Sequence, residues 1–172
     1  MVPQPFILVV MGVSGAGKTT LAKGLADALN VPFKEGDTLH PPANVAKMKR
    51  GQPLSDEDRG PWLASIKEWI DTELDHGRSG IVTCSALKRA YRDVLRANRP
   101  NVVLVYIEGE KSLIRGRLER RQGHFMPASL LASQFATLEP PAASEQPIIV
   151  SAADTPRDQV RRATEALDAR PG

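Results

Sequence analysis

The feature that most constrains the fold of this chain is the segment GVSGAGKT at residues 12–19, which matches the pattern G-x-x-x-x-G-K-[S/T]. It follows a continuous apolar run, FILVVM at residues 6–11, and precedes an amphipathic segment with leucines on one face. These flanks predict a buried parallel strand and a helix, which is the context that the pattern requires. The glycines allow successive backbone N–H groups to point at phosphate oxygens, and the helix N-terminus favours negative charge.

This phosphate-binding loop (residues 12–19) predicts a nucleotide site. Lys18 is expected to reach the β- and γ-phosphates, and the Thr19 hydroxyl is expected to bind Mg²⁺, which prefers oxygen ligands. The predicted nucleotide-binding residues around the loop are Gly12, Val13, Ser14, Gly15, Ala16, Gly17, Lys18, Thr19 and Thr20.

Apolar runs and helical patterns alternate along the rest of the chain. Strands are predicted at residues 6–11, 31–36, 80–85, 101–109 and 146–152, with helices between them and after the last strand. One helix is predicted to begin at Pro61, after capping groups at Ser55 and Asp58, and to end near Gly77. This alternation predicts a three-layer α/β fold, a five-stranded parallel sheet with helices on both faces, in a single domain over residues 1–172.

Composition and charge exclude several functional classes. A net charge of +3 and an aromatic content of 5% leave few stacking surfaces, which disfavours a nucleic-acid-binding protein. No apolar run approaches the ~18 residues that a membrane helix needs. The single cysteine, Cys84, excludes an internal disulfide and indicates a reducing, cytoplasmic location. Because Cys84 ends a predicted buried strand, we expect it to be structural.

The motifs of signalling GTPases, D-x-x-G and N-K-x-D, do not occur in the sequence. A transporter ATPase would need its own signature loop and a longer chain. A small P-loop kinase of the nucleoside-monophosphate or metabolite kind, with an arginine-bearing lid, is the remaining interpretation. Residues 117–130 fit such a lid, because a basic helix ends in Gln-Gly shortly before a proline. Arg117, Arg120 and Arg121 are predicted to stabilise charge on the transferring phosphoryl group. Arg117 and Arg121 share a helix face, and the alternative for each arginine is a solvated surface.

The stretch EGDTLHPPANVAKM at residues 35–48 crowds together two acids, a histidine, two prolines, an asparagine and a lysine. It opens the segment at residues 36–63, which follows the predicted second strand. In a parallel α/β sheet this position lies at the carboxyl edge, beside the phosphate-binding loop. Asp37 is therefore predicted to orient or deprotonate an attacking hydroxyl group, or to help hold Mg²⁺ through water, as Glu35 could. The alternative for Asp37 is a capping role in a turn.

Three longer stretches resemble the gluconate kinase family. They are GDTLHPPANVAKMKRGQPLSDEDRGPWL at residues 36–63, CSALKRAYRDVLR at residues 84–96 and RQGHFMPASLLASQFATLEPP at residues 121–141. With the phosphate-binding loop, the resemblance spans nearly the whole chain. It implies a P-loop fold like that of nucleoside and shikimate kinases, phosphorylation of D-gluconate at its 6-hydroxyl group by ATP with Mg²⁺, and a homodimer.

The resemblance also implies roles for individual side chains. Gluconate carries a carboxylate at one end and the acceptor hydroxyl at the other, so its site needs cations, polar groups and an acid. Arg59 is the first choice for the carboxylate, with Lys88 or Arg92 as the second cation. The predicted gluconate-binding residues are Asp37, His40, Asn44, Arg59, Lys88, Arg92 and Gln134. The alternatives are a turn cap for His40, a helix cap for Asn44 and solvent exposure for Lys88.

By the same resemblance, the adenine pocket is expected after the fifth strand. Asp154, Thr155 and Pro156 would bracket the base, and Arg115 or Arg117 would stack on it.

The third strand ends in CSALK and carries no acid, so metal positioning is assigned mainly to Thr19 and the ATP phosphates. Trp62 and Met48 are expected to pack in the core.

Two competing functions are open at this point. The same chemistry could act on another acceptor such as shikimate, or the protein could bind ATP as a sensor without turnover.

Overall fold

A computed structural model describes residues 5–97, 99–120 and 128–170. The strands in these residues are β1 (Ile7–Met11), β2 (Phe33–Glu35), β3 (Gly80–Thr83), β4 (Val102–Glu108) and β5 (Ile148–Ser151). The α-helices are α1 (Lys18–Leu29), α2 (Pro42–Lys49), α3 (Asp56–Asp75), α4 (Arg89–Arg96), α5 (Lys111–Arg120), α6 (Ala128–Thr137) and α7 (Pro156–Ala169). Short 3-10 turns cover Gly36–Leu39 and Ala143–Glu145.

The described strands form one parallel sheet of five strands in the order β2-β3-β1-β4-β5. β1 lies in the centre, and all of its residues are buried. Parallel neighbours require crossover connections, and the intervening helices supply them. The predicted fold class is therefore confirmed, and the carboxyl ends of β1, β2 and β3 come together at one edge.

Both faces of the sheet are covered by helices. Ile7, Val9 and Met11 pack in a core cluster with α3 and α4, whereas Leu8 and Val10 pack in a second cluster with α1 and α7. This division follows from the period of two in a strand, which sends successive side chains to opposite faces. Because apolar packing covers both faces of the sheet, polar functional side chains are expected at the edge where the strands end.

Helix α3 begins five residues before the predicted start at Pro61. Ser55 is its N-cap: its side chain accepts a hydrogen bond from the Asp58 N–H, and the Asp58 carboxylate accepts one from the Ser55 N–H. This reciprocal capping box fixes the first turn. Pro61 lies inside the helix, where it removes one backbone donor without ending the helix. The start at Pro61 was therefore wrong, because the cap outweighs the proline.

Cys84 follows β3 and is buried in the α3 and α4 cluster. Burial raises the pKa of its thiol to about 12, so the group packs as an uncharged side chain, as the sequence predicted. Among residues 5–97, 99–120 and 128–170, no helix combines the length and apolarity needed to cross a membrane.

Candidate active site

The phosphate-binding loop connects β1 to α1 as predicted. Gly15 and Gly17 have φ angles of 82° and 100°, in the left-handed region that favours glycine. The Lys18 ammonium group donates hydrogen bonds to the carbonyl oxygens of Gly12 at 2.9 Å and Val13 at 3.0 Å. Burial lowers the pKa of Lys18, and the nearby Asp37 carboxylate opposes this shift. The loop therefore wraps around a cation that can turn towards phosphate oxygens.

A cavity of about 470 Å³ lies on one side of this loop, between α5 and the start of α7. Its lining includes Gly17, Thr20, Arg117, Asp154 and Pro156, and we name it the Asp154 cavity. The structure thus brings together the loop and three of the residues predicted for the adenine pocket.

Two other residues predicted for the adenine pocket lie outside the lining of the Asp154 cavity. Thr155 caps α7 through its hydroxyl group, which accepts a hydrogen bond from the Asp158 N–H. Arg115 is exposed on α5. Of the predicted lid, Arg121 and the side chain of Arg120 lie outside the described residues.

An acidic side chain reaches Thr19 from β2. The Thr19 hydroxyl donates to a carboxylate oxygen of Glu35 over 2.6 Å, and the Thr83 hydroxyl of β3 donates to the other Glu35 oxygen. Together with Asp37, Thr19 and Glu35 line a small cavity against the phosphate-binding loop. The predicted neighbours of a magnesium ion are therefore adjacent, and β3 contributes a threonine where it lacks an acid.

Asp37 owes its position to the tight packing of the residue before it. The Gly36 N–H donates to the Thr83 hydroxyl at 3.1 Å, and the Trp62 indole N–H donates to the Gly36 carbonyl at 2.9 Å. A Cβ atom on Gly36 would stand 1.9 Å from the Thr83 carbonyl oxygen. These contacts leave room for glycine alone, and they place the 70% exposed Asp37 side chain in the 3-10 turn after β2.

A second cavity, of about 350 Å³, opens between Asp37 and α6, and we name it the Asp37 cavity. Its lining includes Lys18, Asp37, His40, Arg59, Trp62 and Gln134. A cation from the phosphate-binding loop, a carboxylate and a guanidinium group thus share one enclosure. Met48 and Trp62 also line it, although the sequence predicted only packing for them.

His40 forms part of the wall of the Asp37 cavity. Its ring stacks on Trp62 with a centroid separation of 4.0 Å and an interplanar angle of 16°. Burial lowers the pKa of His40, Asp37 opposes the shift and Arg59 adds to it. Asn44 is buried behind this ring, with its amide nitrogen 3.2 Å from His40 Nδ1 and 2.8 Å from the Asp58 carbonyl oxygen. Asn44 therefore supports His40 from behind and is not part of the cavity lining.

Arg59 belongs to a hydrogen-bonded chain between α3 and α4. Its Nη1 atom donates to the Tyr91 hydroxyl, which donates to the Asp56 carboxylate. Lys88 pairs with the same carboxylate at 3.1 Å, and this contact raises the pKa of Lys88. Lys88 therefore lies beyond Tyr91, bound to Asp56 and outside the lining of the Asp37 cavity.

Arg92 lies away from the Asp37 cavity, so the prediction that it anchors a substrate is wrong. The side chain is 1% exposed, and its Nε atom lies 2.7 Å from a carboxylate oxygen of Glu145. Its Nη1 atom also donates to the Ala86 carbonyl at 2.9 Å. A buried guanidinium needs such partners, and these bonds give Arg92 a structural role between α4 and the Ala143–Glu145 turn.

Gln134 joins α6 to the phosphate-binding loop. Its carbonyl oxygen accepts a hydrogen bond from the Ser14 N–H at 2.7 Å, and its amide group donates to the Ser14 hydroxyl at 3.3 Å. It also lines the Asp37 cavity, on the side predicted for the lid. Gln134 therefore lies between a loop N–H group and the Asp37 cavity.

Comparison with known proteins decides the family. A family model described as an AAA domain matches residues 7–141. The gluconokinase of Gluconobacter oxydans (strain 621H) is 55% identical over 148 residues, which cover 86% of this chain and 83% of that protein. The chain belongs to the gluconokinase family.

Solved structures agree with this membership. The gluconokinase from Sinorhizobium meliloti 1021 has a TM-score of 0.87 and 44% identity, covering 95% of this chain and 92% of the other. An unliganded sugar kinase from Janibacter sp. HTCC2649 has a TM-score of 0.91 and 51% identity, covering 98% and 97% of the two chains. The gluconokinase family thus accounts for the fold over almost the full length of the chain.

For this member of the gluconokinase family, sequence analysis missed two residues beside the candidate site. One is Tyr91, the third residue of α4, which lies within the stretch CSALKRAYRDVLR. The other is Thr83, which the sequence indicates only as part of a strand. Their contacts join residues distant in the chain, Tyr91 to Arg59 and Thr83 to Glu35, so local spacing carried no signal for them.

Proposed function

We propose that this protein is a gluconokinase, which transfers the γ-phosphoryl group of ATP to the 6-hydroxyl group of D-gluconate within one kinase domain over residues 1–172. The hydroxyl oxygen forms a bond to the γ-phosphorus, and the bond from that phosphorus to the bridging oxygen of ADP breaks. The products are ADP and 6-phospho-D-gluconate, with the hydroxyl proton released. The observation that carries the proposal is that Lys18, Asp37 and Arg59 line one cavity.

Asp37 and Arg59 are suited to the two ends of gluconate. A carboxylate next to the phosphate-binding loop can accept the hydrogen bond of the attacking hydroxyl and receive its proton as the bond to phosphorus forms. Arg59 can bind the acceptor carboxylate through two parallel N–H groups. Phosphoryl transfer has a loose transition state, so we expect positioning and charge at Asp37 to matter more than its basicity.

ATP is proposed to occupy the Asp154 cavity with its phosphates on the loop amides and Lys18. Arg117 lines this cavity and would contact the nucleotide from α5. Arg120 and Arg121 stay predictions for charge stabilisation on the transferring group.

The residues around Thr19 fit a magnesium ion. The Thr19 hydroxyl and the Glu35 carboxylate, 2.6 Å apart, are oxygen donors of the kind that Mg²⁺ prefers. No group of three or more His, Cys, Asp or Glu side chains able to hold a metal occurs in the described residues, which suits an ion held largely by phosphates and water. Bound with ATP, Mg²⁺ would offset negative charge on the phosphate oxygens. Thr19 and Glu35 would hold it on the loop side, and Lys18 would contact the phosphates.

The test is ADP release with ATP and Mg²⁺, comparing D-gluconate with shikimate, D-glucose, nucleoside monophosphates and no acceptor. We expect turnover with D-gluconate alone and a loss of about 100-fold or more in kcat for Asp37→Asn. Asp168→Asn, an exposed acid on α7, is the matched control and should leave kcat unchanged. Turnover with another acceptor would replace the substrate, and ATP binding without turnover would favour the sensor. The homodimer and the cytoplasmic location remain part of the proposal.

A further inference from the structure

The two ring nitrogens of His40 face different surroundings. Nδ1 points away from the Asp37 cavity and lies 3.2 Å from the amide nitrogen of Asn44. Nε2 lies 3.9 Å from Asp37 Oδ1, a carboxylate that lines the same cavity as His40. Which nitrogen carries the proton decides whether His40 presents a donor or an acceptor beside Asp37.

The orientation of the Asn44 amide group is fixed by a backbone carbonyl. The Asn44 atom that faces His40 also lies 2.8 Å from the Asp58 carbonyl oxygen, which can only accept a hydrogen bond. That atom must therefore be the amide nitrogen, which removes the usual ambiguity between the two ends of an asparagine side chain. Its two hydrogens serve the Asp58 oxygen and His40 Nδ1.

The Asp58 carbonyl oxygen is itself held in place. Asp58 is part of the capping box that starts α3, and its carboxylate accepts a hydrogen bond from Lys47 of α2 at 2.7 Å. Asn44 lies on α2, so the same pair of helices holds both ends of the Asn44–Asp58 contact. Trp62 fixes the plane of the His40 ring by stacking. The direction of each ring nitrogen is thus set by surrounding structure.

An imidazole whose Nδ1 accepts a hydrogen bond carries its proton on Nε2 when it is neutral. The His40 side chain is only 4% exposed, and burial disfavours the charged form, so the pKa of His40 is lowered. Asp37 acts against this shift and Arg59 reinforces it. The Nε2–H group therefore faces the Asp37 carboxylate across the cavity.

We propose that Asn44 is a positioning residue that holds His40 as the neutral Nε2–H tautomer, so that His40 donates a hydrogen bond to a hydroxyl oxygen of the acceptor. The acceptor role rests on the proposed kinase function. The 3.9 Å between Nε2 and Asp37 Oδ1 is too long for a hydrogen bond. A hydroxyl oxygen about 2.8 Å from each atom can bridge them, because it accepts from Nε2–H and donates to the carboxylate.

The first test needs no substrate. Nitrogen-15 NMR of histidine-labelled protein at pH 8 should show His40 with a bare Nδ1 and a protonated Nε2. His40→Gln assigns the signals among the three histidines of the chain. His76 is an internal reference for the opposite tautomer, since its Nδ1 lies 2.7 Å from the Thr72 carbonyl oxygen. A protonated Nδ1 on His40 in the wild-type protein overturns the proposal, even if the Asn44 variant fails to fold.

Asn44→Asp replaces the donor facing Nδ1 with an acceptor of nearly the same shape. We expect the variant to protonate His40 Nδ1 and to raise KM for D-gluconate about 10-fold, with KM for ATP unchanged. An unchanged Nε2–H tautomer in folded Asn44→Asp overturns the role of Asn44. Because the NMR measurement contains no gluconate, it keeps its meaning if another acceptor, or none, proves to be phosphorylated.

A matched pair of His40 variants tests whether His40 acts as a hydrogen-bond donor through Nε2–H or as a proton acceptor. The Gln amide nitrogen falls near the position of Nε2, whereas the shorter Asn side chain places its amide near Nδ1. His40→Gln should keep kcat/KM for D-gluconate within about 5-fold of the wild type, and His40→Asn should lose about 30-fold. Equal losses in the two variants overturn the donor role, because a proton acceptor would be lost in both.

Discussion

The Arg59 guanidinium donates a hydrogen bond over 3.0 Å to the Tyr91 hydroxyl, and its central carbon lies 5.4 Å from the centre of the Tyr91 ring. The pKa of Tyr91 is raised by burial and by its hydrogen bond to Asp56, so the phenol stays neutral. A neutral partner orients Arg59 without compensating its charge. This arrangement fits the proposed binding of a carboxylate by Arg59 in the Asp37 cavity.

Tyr91→Phe removes the hydroxyl group that orients Arg59 and keeps the ring. We expect KM for D-gluconate to rise about 5-fold, because a hydrogen bond of this kind contributes about 1 kcal/mol. KM for ATP should not change, since Arg59 lines the Asp37 cavity and not the Asp154 cavity. Steady-state kinetics with each substrate varied in turn make the comparison. Tyr106→Phe on β4 is the control, and equal KM values for gluconate in the two variants would contradict the positioning role.

Arg92→Met should destabilise the protein while leaving gluconate binding intact. Removing one partner of a buried ion pair leaves Glu145 uncompensated, and we expect a loss of about 3–5 kcal/mol in the free energy of unfolding. The double variant Arg92→Met with Glu145→Leu should recover most of the lost free energy of unfolding, because neither buried charge remains. Urea denaturation measures the stabilities, with exposed Arg89→Met as control. A stable Arg92→Met protein with a raised KM for gluconate would restore the substrate role.

Gly36→Ala should damage both stability and activity. The added Cβ atom would stand 1.9 Å from the Thr83 carbonyl oxygen, so β2 and β3 must separate. We expect a loss of about 3 kcal/mol, roughly 6–12 °C in Tm for a chain of this size. A fall in kcat should accompany it as Asp37 moves.

Gly60→Ala is the matched control for Gly36→Ala. Apart from its chain neighbours and the adjacent helix backbone, nothing lies within 4 Å of its Cβ position. Gly60 is inside α3, where alanine stabilises a helix by about 1 kcal/mol relative to glycine. Thermal unfolding and kcat measured on both variants separate the two sites. Equal Tm values for the two alanine variants would show that Gly36 is not constrained.

The alternation of apolar runs and helical patterns was enough to predict the sheet, because each signal is local. The phosphate-binding loop is likewise a contiguous segment, and the structure gives it the predicted strand and helix. The position of Asp37 at the edge of the sheet followed from the same topology. Those inferences needed only the order of elements along the chain.

The direction of single side chains could not be predicted in this way. Arg92 was assigned to the substrate because it follows β3, yet its partner Glu145 lies 53 residues away in the chain. The sequence predicts that Asn44 binds substrate hydroxyl groups or caps a helix. Its partners in the structure include the carbonyl group of Asp58 on another helix. Both outcomes depend on how helices pack against one another. For an arginine or asparagine in a helix, the neighbouring sequence does not indicate which other element its side chain will contact.

The lowered pKa of His40 predicts a loss of stability in mild acid. Burial holds the folded pKa below the usual value of 6.5, so between these two values the unfolded chain binds more protons than the folded protein. The free energy of unfolding should therefore be highest above pH 6.5. Below that pH it should fall by at most about 1.4 kcal/mol per pH unit, until folded His40 is also protonated.

Urea denaturation of the wild type and His40→Gln at pH 8, 6.5 and 5 isolates the contribution of the His40 side chain. The other titrating groups are present in both proteins, so their contributions cancel in the difference. We expect the difference in the free energy of unfolding between the two proteins to be constant above pH 6.5. Below pH 6.5 the wild type should lose stability relative to His40→Gln. A difference that stays constant from pH 8 to pH 5 would mean that His40 titrates alike in both states. The ring would then gain a proton in the folded protein as readily as in the unfolded chain, contrary to its burial against Trp62.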